Sequence, residues 1–258
     1  MVVLISGCEY QDNQYNEFIT KISDYQSKIE IEYSEEDAFI DKTTFYIEDY
    51  FSLYNKLTID SLYKIDYYYF YFGDGGRPLL LALEKNEELD TILNYFVSYP
   101  PRIVNFNDKT TRERHVSLDF FDYADSVLNP ISKIRIEDSE LGYFQYLVFY
   151  LQGDNFGLFW HSNYSGLVLI NSEKALNEFL NIESDFTDFT REQKKKIKQI
   201  NPEPMIIMTD DSCYINIVEF NAWEGFVRTK FSINRIYPHN VKYISRDLLV
   251  EHDCGIVF

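Results

Sequence analysis

Apolar residues first recur at helical spacing over residues 13–29. Tyr15, Phe18, Ile19, Ile22, Tyr25 and Ile29 fall three or four apart, and Glu17, Lys21, Asp24 and Lys28 fill the opposite side. The pattern then changes. Val2 to Ser6 reads as a short first strand closed by Gly7, Phe45-Tyr46-Ile47 as a strand, and residues 49–63 as helical or mixed. Tyr67 to Phe72 is an aromatic run with high β preference, Gly73 to Gly76 a turn, and Leu79 to Leu83 the returning strand of a hairpin. A helix is expected over about 85–98, with Leu89, Ile92, Leu93, Phe96 and Val97 inward, ended by Pro100-Pro101.

The second half repeats these motifs. Residues 115–123 and Ile131 to Ile136 alternate as strands do, and Tyr143 to Leu151, apolar throughout, reads as a central strand. Phe156 to His161 and Leu167 to Ile170 read as another hairpin, followed by a helix at 172–181 with Ala175, Leu176, Phe179 and Leu180 inward. Thr190-Arg191-Glu192-Gln193 is a capping box that opens a short basic helix ended by Pro202. Strands follow near 205–209, 213–220 and 225–233, then at 246–250 and 255–258.

Hairpins mixed with scattered helices define an α+β fold with largely antiparallel sheet and a few packed helices. At an offset of 87, Phe72, Leu80, Leu89 and Leu93 align with Phe159, Leu167, Leu176 and Leu180, which suggests two similar hairpin-plus-helix halves. The expected organisation is one domain over 1–258, with a division at 1–130 and 131–258 as the alternative.

Charge changes the functional picture. The 258 residues carry 42 Asp and Glu against 24 Lys and Arg, a net −18, and 45% are hydrophobic. That apolar content supports a core, and the negative surface argues against ordinary nucleic-acid binding. Residues 1–100 hold 19 acids and 7 bases, so they carry two-thirds of the excess. The cluster Lys194, Lys195, Lys196 and Lys198 runs against this trend.

Chemistry is sparse. Cys8, Cys213 and Cys254 fit neither a disulfide framework nor a zinc pattern, and the expected compartment is the reducing cytoplasm. Ile5-Ser6-Gly7-Cys8 resembles a lipoprotein box, yet only Met1 to Leu4 precede it; a membrane-anchored lipoprotein held through Cys8 is the alternative. His252-Asp253-Cys254 offers a thiol beside an imidazole, but Asp253 faces away from both. Asp210 and Asp211 at a strand end, with Glu219 one strand along, are the carboxylates a metal-dependent enzyme would use if they converged. Gly73-Asp74-Gly75-Gly76-Arg77 lacks the order of a phosphate loop. No catalytic residue, metal site or cofactor is therefore assigned.

The features that remain suit protein binding. Tyrosine is unusually frequent, at 22 residues, and gives large contact area at low entropic cost. Trp160 and Trp223 are the two tryptophans, and Trp223 lies in an apparent loop, Asn221-Ala222-Trp223-Glu224-Gly225, suited to an anchor. The acidic, Tyr/Phe/Asn/Ile-rich composition, the hairpin-plus-helix units and the Trp223-Glu224-Gly225 and Asp253-Cys254-Gly255 neighbourhoods resemble those of bacterial immunity proteins, the antidotes of polymorphic toxins. The resemblance implies a protein that occludes the active site of a cognate toxin, often a nuclease with a basic cleft, and has no chemistry of its own. The expected contact residues are Glu32, Glu35, Glu36, Asp37, Tyr68 and Trp223. A carboxylate-lined mimic of DNA is a further rival, and the oligomeric state is left open.

Overall fold

The computed structural model describes residues 6–28, 31–33, 38–40, 46–72, 75–96, 118–152, 168–182 and 188–253. Its helices and antiparallel sheets give an α+β fold, as the pattern of the chain predicts. Chain contacts divide it into two compact units. One comprises Met1–Glu17, Asn163–Ile236 and Asn240–Phe258; the other comprises Phe18–Ser162 with Tyr237–His239. Segment 131–162 thus belongs with 18–130.

The larger unit is built on a buried helix. Helix α1 (Ser6–Gln26) contributes Phe18 and Ile22 to it, and α2 (Ile47–Ser52) contributes Ile47 and Tyr50. Strands β1 (Ile31–Tyr33) and β2 (Ala38–Ile40) pair with each other, and β3 (Leu57–Ile59) pairs with β6 (Ile134–Ile136). The aromatic run forms β4 (Tyr63–Phe72), which pairs along its length with β5 (Gly75–Glu84) as the predicted hairpin. Leu79, Leu81 and Leu83 of β5 share a core with Leu89, Ile92 and Leu93 of α3 (Leu89–Tyr95) and with Phe120 and Ala124 of α4 (Leu118–Ser126).

Helix α5 (Glu140–Gln152) occupies the position predicted for a central strand. Every residue from Gly142 to Phe149 is buried, so the run has no polar face and its period is unreadable. Phe18, Tyr54, Phe144 and Phe149 pack edge to face around it, with ring centroids 5.1 to 6.2 Å apart. Buried Gln145 is held by the chain before β3: its Oε1 accepts from Lys56 N at 2.8 Å and its Nε2 donates to Asn55 Oδ1 at 3.0 Å.

Four further local expectations are corrected. Gly7 lies inside α1 rather than closing a strand; residues 1–5 lie outside the described residues. Ile47 opens a helix, with Tyr46 as its extended N-cap. Residues 118–123, predicted with 115–117 as a strand, are helical, because Phe120, Ala124 and Leu128 bury at four-residue steps; residues 115–117 lie outside the described residues. Of Ile131 to Ile136, the first three residues form a 3₁₀ turn (η1, Pro130–Lys133) whose N-cap Asn129 accepts from Ile131 N at 2.9 Å.

The smaller unit is a five-stranded antiparallel sheet. Its order is β11 (Val241–Glu251), β10 (Gly225–Asn234), β9 (Ser212–Asn221) and β7 (Val168–Ile170), with β8 (Met205–Met208) pairing the first half of β9. β8, β9 and β10 fall where predicted, and β11 runs longer than predicted. One face of the sheet carries Cys213, Ile215, Ile217, Val227, Phe231 and Ile233, all buried. The other carries Val218, Phe220, Phe226 and Val250, covered by Leu176 and Phe179 of α6 (Glu173–Leu180) and Ile197 of α7 (Arg191–Ile197). The predicted capping box is present: Thr190 Oγ1 accepts from Gln193 N, and Gln193 Oε1 accepts from Thr190 N. The predicted hairpin before α6 falls, up to residue 167, outside the described residues, as do Phe159, Trp160, Gly73, Asp74 and residues 254–258.

Candidate partner-binding site

A carboxylate patch forms in the larger unit where three separate segments meet. The first turn of α2 supplies Glu48 and Asp49, strand β4 supplies Asp66, and the turn from β5 into α3 supplies Glu88. Asp66 is half-buried and its Oδ1 accepts from Tyr67 N at 2.8 Å. Burial raises the Asp66 carboxyl above its ordinary range; the Tyr67 N–H and the Lys64 ammonium pull it back, and the charges of Glu48 and Glu88 push it up again. Lys64 bonds Glu88 at 3.0 Å, so one charge of the patch is partly compensated. Glu48, Asp49 and Glu88 are exposed.

Tyrosines sit within this field. Tyr67 is buried, and burial followed by the Asp66 charge pushes its hydroxyl up to about 12. Tyr25 donates to Tyr46 O at 2.9 Å; burial, then Asp49 and Glu48, raise it against the effect of that bond. Tyr123, on α4, is raised by burial and by Glu87 and Glu84. Carboxylates of α2, β4 and the β5–α3 turn therefore act on phenols of α1, β4 and α4.

The structure treats the expected contact residues unevenly. Glu32 is on β1, opposite Phe39, and Tyr68 is on β4, opposite Leu79; their side chains, and the whole of Glu35, Glu36 and Asp37, lie outside the described residues. Trp223 belongs to the smaller unit. It sits half-buried in the β9–β10 turn, with its backbone N–H donating to Asn221 Oδ1 at 2.8 Å. Glu48, Asp49, Asp66 and Glu88 escaped the reading of the sequence because about twenty residues separate one contributing segment from the next. The hairpin register and the start of α3 bring them together.

The carboxylates proposed for a metal enzyme do not converge. Asp210 and Asp211 are exposed in the β8–β9 turn, whereas Glu219 is buried on β9, roughly 25 Å further along at the rise of a strand. Glu219 instead accepts from Thr229 Oγ1 at 2.7 Å. Burial raises its carboxyl; Thr229 and Arg246 oppose the rise and Glu224 adds to it. Among the described residues, no group of three His, Cys, Asp or Glu side chains is placed to hold a metal ion. His252 is buried against Phe189 and Phe220, at ring distances of 4.7 and 5.8 Å. Among the described residues, no helix is long and apolar enough to cross a membrane.

Comparison with family models, with curated proteins and with solved structures finds no match to the chain.

Proposed function

We propose that this chain is a protein-binding inhibitor of the immunity type, acting in the cytoplasm on a cognate basic toxin. The carboxylate patch of α2, β4 and the β5–α3 turn meets the cationic cleft of the toxin and occludes it, and neighbouring tyrosines supply contact area. Glu32, Glu35, Glu36, Asp37 and Tyr68 remain contact residues expected from the sequence alone, and Trp223 serves as a separate anchor. The observation that carries the reading is the placing of Glu48 and Glu88 around the half-buried carboxyl of Asp66, with Asp49 beside Glu48 in the first turn of α2. Like charges held together raise the free energy of the unbound protein, and a cationic partner relieves that cost on binding. A nuclease toxin suits the surface best, since its cleft is built for phosphate.

The test is a pull-down of the protein encoded by the neighbouring gene, at low and at high salt. Capture that weakens with salt and is lost in a Glu48→Lys/Asp49→Lys variant is the expected result. Capture indifferent to both changes rules out the electrostatic mechanism, and absence of capture removes the reading.

A further inference from the structure

Strand β11 stands at one margin of the five-stranded sheet and is its longest strand, at 11 residues. Its inner side pairs with β10, from Gly225 opposite Glu251 to Ile233 opposite Val241. At the far end His252 N donates to Glu224 O at 3.0 Å. That bond flanks the Gly225–Glu251 pair, so the N–H and C=O of Glu251 itself turn outward. The outward carbonyl is met by α7, whose Gln193 Nε2 donates to it at 2.8 Å. Among the described residues no other backbone bond reaches the outer side of β11, so the edge is open over 242–250.

An open edge is a template for another strand, and proteins guard such edges by brevity, proline, bulges or charge. Strand β8, on the far side of β9, has four residues and follows Pro202 and Pro204, so brevity and proline guard it. The guard on β11 is partial. Its register slips by one residue at Ile244 and at Leu249, bulges that add local twist. Lys242 and Asp247 are exposed on one face, and Arg246 on the other is held by Glu224 at 2.8 Å. Yet Tyr243, Ile244 and Leu248 expose 59%, 47% and 52% of their surface. Tyr243 and Leu248 pair with Phe231 and Val227 and so share one face, where the Tyr243 ring meets Phe231 edge to face at 6.3 Å. An added strand would bury both against its own apolar side chains while its backbone satisfied the open edge.

We propose that β11 receives an extended strand of the cognate toxin, which joins the sheet beside it. That strand carries apolar side chains against Tyr243 and Leu248, and on its other face an acid for Lys242 and a base for Asp247. A second copy of the chain is the wrong occupant. Two copies repel through −18 charges each, and two β11 strands paired about their middle would set Arg246 against Arg246. The same surplus draws a cationic partner. β11 itself is balanced, with Lys242 and Arg246 against Asp247 and Glu251, so the added strand is held by backbone bonds and apolar burial rather than by the field. Trp223 lies at the Glu251 end of the same edge, in the turn that leads into Gly225. The inference rests on the toxin-binding reading and gives it a second contact of a different kind from the carboxylate patch.

The test uses the full chain and the protein encoded by the neighbouring gene. Amide exchange is followed residue by residue on the chain alone and in the complex. The outward amides of 242–250, fast in the chain alone, are expected to slow at least about tenfold in the complex. A Tyr243→Lys/Leu248→Lys variant puts on this edge the side chain that natural edges use against added strands. It is expected to dissociate at least about tenfold faster, with the salt dependence of association unchanged. The Glu48→Lys/Asp49→Lys variant is expected to do the reverse, associating more slowly and with a weaker salt dependence. All substituted side chains are exposed, circular dichroism checks that the variants fold, and the exchange measurement on the parent chain stands without them. Capture with the edge amides still fast, or a lysine variant that dissociates at the parent's rate, overturns the strand addition and leaves the toxin-binding reading standing. Slowing spread evenly over β9 and β10 also overturns it, because that reports stabilisation of the whole unit. Absence of capture removes the reading and this proposal with it.

Discussion

Glu219 shows how much one side chain can reveal about the smaller unit. Its carboxyl is buried, receives a single strong hydrogen bond from Thr229 and has its proton affinity raised mainly by desolvation. A carboxyl whose folded pKa lies above its unfolded value binds more protons when folded. The folded state is therefore favoured below the unfolded pKa, and this advantage is lost as pH rises through the folded pKa. Glu219→Gln keeps an acceptor for the Thr229 hydroxyl and removes the charge. Thermal melts at pH 7 are expected to show a stabilisation on the order of 1 kcal/mol, with a flatter dependence of Tm on pH between about 4 and 7. A variant less stable than the parent at pH 7 would mean that the Arg246 side chain, bonded to Glu224 at 2.8 Å, also depends on the Glu219 charge. Gly225 makes the complementary case in the backbone. Its φ is +106°, and a Cβ there would lie 2.1 Å from Val250 O and 2.6 Å from His252 N. Val250 lies in β11 and His252 just past its end, where its N–H donates to Glu224 O at 3.0 Å, so neither atom can withdraw without breaking the pairing around Gly225. Gly225→Ala is expected to cost more than about 2 kcal/mol by urea denaturation, and a loss within about 0.5 kcal/mol would show that the turn can rearrange.

At the scale of elements, α7 is the helix whose stability depends most on its ends. It has seven residues, too few to persist alone, and only Ile197 anchors it in the core. Thr190→Ala removes the acceptor for Gln193 N and half of the capping box. A loss of about 1 kcal/mol is expected, with hydrogen exchange in 191–197 accelerated and the ladder of β9 and β10 unchanged. Acceleration spread over the whole sheet would mean that α7 unfolds only with the unit. This cap was legible in the sequence because its signal is chemical and local: two side chains three residues apart. The β4–β5 hairpin and the faces of α3 and α6 were legible because a solvent-facing side gives each element a period. Helix α5 was not, since burial from Gly142 to Phe149 leaves no solvent-facing position to mark the period. Residues 118–120 were misread because three alternating residues fit two periods at once, and only Ala124 and Leu128 further along break the tie. The carboxylate patch was invisible for a different reason. Glu48, Asp66 and Glu88 are unremarkable singly, and tertiary contact makes them neighbours, whereas Glu32, Glu35, Glu36 and Asp37 stand close together in the chain itself.

For the whole molecule, the net charge of −18 sets two contributions against each other. Ion pairs favour the folded state: Arg135 with Asp60 at 2.7 Å, Lys56 with Glu137 at 2.7 Å, Lys64 with Glu88 at 3.0 Å and Arg246 with Glu224 at 2.8 Å. All four are at least partly exposed, and pairs of that kind contribute about 0 to 1 kcal/mol each. Against them stands the mutual repulsion of an 18-charge surplus, concentrated as a net −12 in residues 1–100. Repulsion acts over longer distances than pairing, so salt removes the two unequally: a Debye length of about 30 Å at 0.01 M lets the surplus act across the molecule, and one of about 8 Å at 0.15 M confines it to neighbours. Folding compacts that surplus, so repulsion weighs more on the folded chain than on the expanded unfolded one. Stability is therefore expected to rise as sodium chloride is raised from about 0.01 M to about 0.15 M, and then to level off. Lowering the pH from 7 through the folded values of Asp66 and Glu219 is expected to act in the same direction, because both carry raised carboxyls and bind more protons when folded. Asp60, held low by the Arg135 guanidinium, opposes this trend at lower pH, where its contribution is lost as pH falls through its folded value. Melting curves in a two-dimensional grid of salt and pH measure all of this at once. A Tm that falls with added salt would show that the ion pairs outweigh the surplus, and that Glu48, Asp49, Asp66 and Glu88 are compensated within the chain; the electrostatic cost on which binding to a basic partner was argued would then be absent.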